Sequence, residues 1–557
     1  MVASRSKPGS QKTEIICASR ILKSPHCTGQ TTPLKPGSLA TVLPRFHSTF
    51  KNRFDLEKVV YWTVSFAAVF YGLWKFATNE RNAGLLREMK HGFAPSPYGL
   101  RNLQDMTNWG WRTTKFVLYE AWKWYLLHPV LARATAFYAP SLLPVFYATY
   151  SSIFVAWLFG WEVLILFLGQ HAAFCAITWF RKPILCYILA FAMHFQKFVS
   201  PFNGLEYMHP RYGLMPYRAA YVTFHWNLMR GISFSMDFIS TQRSETDESR
   251  RRKWPPYWET LAYSLYLPTI YTGPPQNYEY FVTQMNKPRP SCTLPEIATC
   301  IARLLRSGAH FLLMELMSHY LYSSAMSKWP MVVATMDLPS VLGLALSLLF
   351  TFYVRYLFTY GFPGALGRAE GFDVPPRAKC IARMSRCSFF WRHFDRGMHL
   401  WIRRYVYIPA VGEGRHPARM VIGTAVAFGF TWAWHSMMKA DAIWCSLSVL
   451  GIAQEVLLVE IRKWQPIKKF EGLYLASAHR MRVAAAVLGA PHFMLTICAC
   501  LFHLAEIDTV LVICRRATGF PLPLLPILAI LYCGCQTSMD AAKWDASASA
   551  RRKQASS

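Results

Sequence analysis

Hydrophobic side chains come in long blocks along this chain, with charged residues mostly at their borders and in the connectors. The blocks fall at 59–77, 136–159, 161–180, 183–198, 294–326, 331–362, 420–438, 442–459, 483–504 and 522–535. In hydrocarbon each backbone N–H and C=O must be paired within its own segment, so blocks of this kind form helices. About 20 residues at ~1.5 Å each span a bilayer core. The pattern therefore predicts an all-α, polytopic membrane protein with about ten transmembrane helices plus re-entrant and interfacial pieces. Two interruptions carry information. Pro339 should kink the 331–362 block or split it, and Gly273, Pro274 and Pro275 should end the run 255–275, so that this stretch lines a cavity instead of crossing simply.

The ends read differently. Residues 1–57 are expected to be a disordered basic cytosolic tail, 58–543 the membrane domain, and 544–557 a second short basic cytosolic tail. The first fifty residues are rich in Ser, Thr, Pro and Lys/Arg with Glu14 as their only acid, a composition that also fits a mitochondrial transit peptide.

Composition supports the membrane class: 53% of the 557 residues are hydrophobic and 15% aromatic. The formal charge of +30 would suit a nucleic-acid binder, but the basic residues punctuate apolar blocks and termini without forming a stripe. Cytoplasmic loops facing anionic lipid account for them, and no nucleic-acid partner is expected. Fourteen cysteines are scattered without paired CxxC spacing, which argues against a zinc site or a disulfide framework.

Candidate chemistry concentrates between Trp391 and His435. An ionisable group in hydrocarbon is unfavourable by several kcal/mol unless protein or a wet cavity receives it, and His435 lies near one end of the uncharged block 420–438. It is either a functional imidazole or an interfacial histidine beside Trp432 and Trp434. Arg403, Arg404, Arg415 and Arg419 precede the block and Lys439 follows it, which places His435 toward the far leaflet. Asp395 sits 40 positions earlier, among Phe394, Met398, Trp401 and Tyr405, whose spacing predicts one amphipathic helix in an interface. Arg230 either holds a phosphate or a backbone carbonyl in a cavity wall, or pairs with Asp237 along one helix face; the ion pair is the expected arrangement. Arg250, Arg251, Arg252 and Lys253 make a basic cytosolic loop suited to a phosphorylated donor. Cys380, among Arg377, Lys379 and Arg383, is either a thiol activated by its neighbours or an inert surface group.

The stretch WRHFDRGMHLWIRRYVYIP at 391–409, with FTWAWH at 430–435, resembles the membrane-bound O-acyltransferase superfamily, in particular its Hedgehog acyltransferase branch of protein-cysteine N-palmitoyltransferases. YSLYLPTIYTGPP at 263–275, RGISFS at 230–235 and ILYCGC at 530–535 add to the resemblance, which covers most of 61–543. It implies that His435 is the superfamily histidine and Asp395 the acid of that branch. Trp391 is implied to line the acyl-donor passage, and Cys380 to be a haem-iron ligand or a site of acylation. Palmitoyl-CoA is the implied donor, haem b an implied cofactor, and a secreted signalling protein with an N-terminal cysteine the implied partner beside membrane lipid. The implied location is the endoplasmic reticulum membrane, or the Golgi, with both termini cytosolic. A relative acting on lipid, sterol or glycerol-type hydroxyls, and a non-catalytic scaffold or transporter, are the other readings.

Overall fold

The computed structural model describes residues 49–556 apart from 197–204, 206–207, 245–253, 289–290, 413–415 and 436. Most of the expected N-terminal tail and the basic loop Arg250–Lys253 lie outside the described residues. The principal helices are α1 (Thr49–Ala77), α2 (Trp109–Tyr138), α3 (Leu143–Phe159), α4 (Trp161–Trp179), α5 (Pro183–Phe195), α6 (Leu214–Ser244), α7 (Leu294–Tyr320) and α8 (Leu338–Ala369). They continue with α9 (Cys387–His393), α10 (Arg396–Ile402), α11 (Pro417–Trp434), α12 (Lys439–Ile461), α13 (Ala478–Leu504), α14 (Ile507–Ala517) and α15 (Leu524–Ser556). Among the described residues the only strands are Phe93–Ala94 and Gln104–Asp105, paired antiparallel.

Among the described residues eight helices are long and apolar enough to cross a membrane: α1, α3, α4, α7, α8, α12, α13 and α15. The shorter apolar helix α5 and the 18-residue α11 account for the remaining blocks of the predicted ten. The all-α, polytopic architecture is thus as the hydrophobic pattern predicts. Helices α2 and α6 are equally long but carry Lys115 and Arg230, whose side chains are buried in protein. On α7 the polarity is inverted relative to a soluble helix, because Leu305 and Leu312 face outward while Glu315 and His319 are buried. That is the pattern expected where hydrocarbon is the solvent.

Helix α8 forms the centre, packed between α1 and α7. Pro339 lies in its first turn, where a missing N–H costs nothing, so the 331–362 block is split: a short helix Pro330–Thr335 precedes α8. Against α1 the backbones touch. A Cβ built on Gly343 would sit 2.0 Å from the carbonyl oxygen of Gly72, so only glycine permits this approach. Helix α1 starts at Thr49, ten residues before its apolar block, and α15 runs to Ser556 through the expected C-terminal tail, with Trp544 stacked on Trp62 at 5.4 Å.

The stretch 255–275 does break, but at Leu265, ahead of the Gly273–Pro275 signal. A helix Tyr257–Leu265 gives way to a 3-10 turn Leu267–Thr269 and then to irregular backbone, with Gly273 at φ +138° against Pro363. Arg230 holds this segment: its guanidinium donates to the carbonyl oxygens of Ser264, at 2.7 Å, and Thr269, and to Oγ1 of Thr269 at 2.9 Å. The expected Arg230–Asp237 ion pair is therefore corrected. Non-helical backbone leaves carbonyls unpaired and a planar fork of donors satisfies them. Asp237 instead accepts from Arg404 at 2.9 Å and from the hydroxyl of Tyr405 at 2.9 Å, tying α6 to the segment after α10.

Candidate active site

Asp395 breaks the amphipathic helix that the spacing of Phe394, Met398, Trp401 and Tyr405 predicts. Its carboxylate accepts the Met398 N–H at 2.9 Å and so caps α10, leaving α9 and α10 as two short helices. A short acidic side chain competes well for backbone donors at a helix start, which favours the break. The setting also differs from the expected interface. Phe394, Trp401 and Tyr405 are buried inside the protein, and the indole N–H of Trp401 donates to the Met229 carbonyl at 3.2 Å. The apolar stripe is real, but it faces protein: Phe394 packs against α8, and Trp401 and Tyr405 against α6.

The first turn of α10 is pressed onto the broken segment. A Cβ on Gly397 would meet Cδ of Pro275 at 2.6 Å and its carbonyl oxygen at 2.8 Å. The second carboxylate oxygen of Asp395 accepts from the Tyr360 hydroxyl of α8 at 2.7 Å. Burial pushes the Asp395 carboxyl up to about 6, while the bonds from the Met398 N–H and the Tyr360 hydroxyl oppose the shift.

His435 lies not within a continuous span but at the end of one. Helix α11 stops at Trp434, His435 is its C-cap, and the Met437 N–H returns to the Trp432 carbonyl at 3.1 Å with Met437 at φ +55°. This closing motif ends the helix inside the uncharged block, and α12 starts at Lys439. The His435 ring stands edge-on to Trp444, at 5.3 Å, and to His503, at 5.1 Å. His503 stacks on Trp444 at 4.3 Å, and its Nδ1 is 2.8 Å from Asp441 Oδ1.

A run of aromatic rings connects Asp395 to His435. Tyr360 stacks on Tyr356 at 4.7 Å, Tyr356 meets Phe394 at 4.8 Å, Phe394 stacks on Phe352 at 5.4 Å, and Phe352 meets His503 at 5.8 Å. Trp391 stands beside this run, 5.4 Å from Trp444 and 5.6 Å from Phe428. The side chains packed between the two ionisable groups are thus mostly apolar rings.

The remaining sequence candidates lie apart from His435. Arg230 spends its donors on the 264–269 carbonyls. Cys380 is a half-buried free thiol in the irregular stretch before α9. Two of the three cations expected to polarise it are neutralised, since Lys379 at 3.1 Å and Arg383 at 2.8 Å both pair with Asp545 of α15. Sequence reasoning missed Tyr360, Asp441, Trp444 and His503. The sequence shows only that Asp441, Trp444 and His503 lie near the ends of apolar blocks, which does not pair them with His435.

The chain belongs to the membrane-bound O-acyltransferase family, whose model matches residues 195–495 and so includes Asp395 and His435. Within that family it is similar to the protein-cysteine N-palmitoyltransferases. It is 28% identical to protein-cysteine N-palmitoyltransferase HHAT of Mus musculus over 54% of this chain and 61% of that protein. It is 24% identical to protein-cysteine N-palmitoyltransferase Rasp of Drosophila melanogaster, over 77% of this chain and 84% of that protein. Membrane-bound O-acyltransferase GUP1 of Saccharomyces cerevisiae is 24% identical over 43% of this chain and 46% of its own length.

Proposed function

We propose that this protein transfers palmitate from palmitoyl-CoA to the amine of an N-terminal cysteine on a secreted signalling protein of the Hedgehog type. The reaction would take place in the endoplasmic reticulum membrane, with both termini of the enzyme in the cytosol. Acyl-CoA is cytosolic and a protein awaiting secretion is luminal, so the catalyst must join them through the bilayer. The observation that carries this reading is the aromatic run from Asp395 to His435, both of which lie in the family-matched segment. The amide over the ester is supported by the similarity to the mouse and fly proteins.

In the proposed step the amine nitrogen attacks the thioester carbonyl, the C–N bond forms as the C–S bond breaks, and CoA leaves as a thiol after taking up a proton. His435 accepts the proton that the amine loses, a contribution of ~10²–10⁴ in rate for a general base of near-neutral pKa. Asp395, at the other end of the aromatic run, orients the acceptor through its charge, in a site where water is scarce. Trp391 borders the acyl passage. Arg230 acts by fixing the wall, its donors being committed to carbonyls.

Haem is proposed only through the resemblance. Cys380 offers the single thiol that a cysteine-ligated iron requires, and haem would supply an iron centre with no part in the transfer step. A Soret band in the purified protein that disappears in Cys380→Ser is expected; a folded, colourless wild-type protein rejects it.

The similarity to GUP1 proteins favours, as the second reading, a lipid or glycerol-type hydroxyl acceptor. Labelled palmitoyl-CoA offered to an N-terminal-cysteine peptide, to the same peptide with a blocked amine, and to lipid alcohols separates them. Product on the free-amine peptide alone, lost by ~10²-fold or more in His435→Ala, is expected. Undiminished transfer in folded His435→Ala removes His435 from the mechanism.

A further inference from the structure

We propose that His435, Asp441 and His503 form a binding site for a divalent transition cation of zinc type, and that its occupancy shuts off acyl transfer. The regulatory half of this inference rests on the role given to His435 above, whereas the binding half does not. The three residues come from three helices: His435 caps the end of α11, Asp441 lies in the first turn of α12, and His503 in the last turn of α13. One donor atom of each lies within 4.8 Å of those of the other two. Among the described residues this is the only such group of histidine, cysteine and carboxylate donors.

The donor set is chemically specific. Two imidazoles and one carboxylate are a recurrent open zinc set, with a fourth position left for water, whereas magnesium and calcium prefer oxygen-only shells. Asp441 offsets part of the ion's charge. Its carboxylate lies 2.8 Å from His503 Nδ1, so the two side chains are already held together. Trp444, buried and stacked on His503, fixes that ring from behind, and the side chains of His503 and Asp441 remain 22% and 13% exposed, which leaves a way in. A cation here takes a nitrogen lone pair of His435, the same lone pair that a general base needs. Coordination and proton acceptance are then mutually exclusive.

The test uses the full chain in detergent, stripped with a chelator. One Zn²⁺ per chain is expected to bind, and Co²⁺ should give the visible d–d bands of a four-coordinate nitrogen–oxygen site that Zn²⁺ erases and Mg²⁺ does not. Asp441→Asn and His503→Gln, both close in volume to the originals, should each weaken Zn²⁺ binding by about tenfold or more. Zn²⁺ should suppress palmitoyl transfer by the wild type, with the chelator restoring it. Absence of the Co²⁺ bands, or equal Zn²⁺ affinity in the wild type and both variants, overturns the site. Binding that leaves transfer unaffected overturns His435 as the base while the site stands, so the two readings fail separately.

Discussion

At the scale of single residues, the informative group is Asp395, because its environment sets the pH at which it is charged. Its folded-state value of about 6 lies above its ordinary 3.8. Between these values the folded chain holds a proton that the unfolded chain has released, so this carboxyl makes the fold less stable as pH rises through that window. Activity runs the other way. If the charged carboxylate orients the acceptor, transfer falls as pH drops through about 6. The Tyr360 hydroxyl donates to the carboxylate and favours its charged form. Tyr360→Phe is therefore expected to move the acid limb of kcat/KM to higher pH, and Asp395→Asn to abolish the limb along with most of the transfer. A profile from Tyr360→Phe that superimposes on the wild type rejects the carboxylate as the group responsible.

At the scale of elements, the site depends on a contact between the start of a short helix and a stretch of irregular backbone. The first turn of α10 rests on Pro275 at Gly397, where the space for a methyl group is already taken by proline ring and backbone atoms. Gly397→Ala must push α10, and Asp395 with it, away from the broken segment, since no flexible side chain there can yield. A misplacement on the order of 1 Å costs about 10²-fold in rate when it falls on positioned groups. The expected result is a loss of kcat well beyond any change in thermal stability, and wild-type kcat in a stable Gly397→Ala protein would show that α10 does not position the reaction. Arg230 belongs to the same device. Its fork supplies the donors that irregular backbone lacks, which is why a buried arginine is found seated on carbonyls and not on the acid seven residues along.

At the scale of the whole molecule, hydrophobic blocks and basic clusters determined the class. Apolar runs of bilayer length force helices, so the all-α polytopic body, the interruption at Pro339 and a break within 255–275 were legible from the order of residues alone, although the helix there ends at Leu265, ahead of Gly273–Pro275. His435 and Asp395 were also legible as costly groups in apolar surroundings. Their environment was not. Periodicity marks which side of a helix is apolar but is silent on whether that side meets lipid or protein, so the stripe at Trp401 and Tyr405 suggested an interface and is core. Equally, a run without charges does not reveal a turn closed by backbone hydrogen bonds, so His435 ends a helix that the sequence extends past it. Asp441, Trp444 and His503 were invisible as partners because pairing across helices depends on how α11, α12 and α13 pack, and no local pattern in any one of them encodes the others. The sequence by itself determined the solvent this protein is built for and the two groups that most need explaining. Only the tertiary structure decided what stands beside them, since those neighbours arrive from other helices whose packing no local pattern encodes.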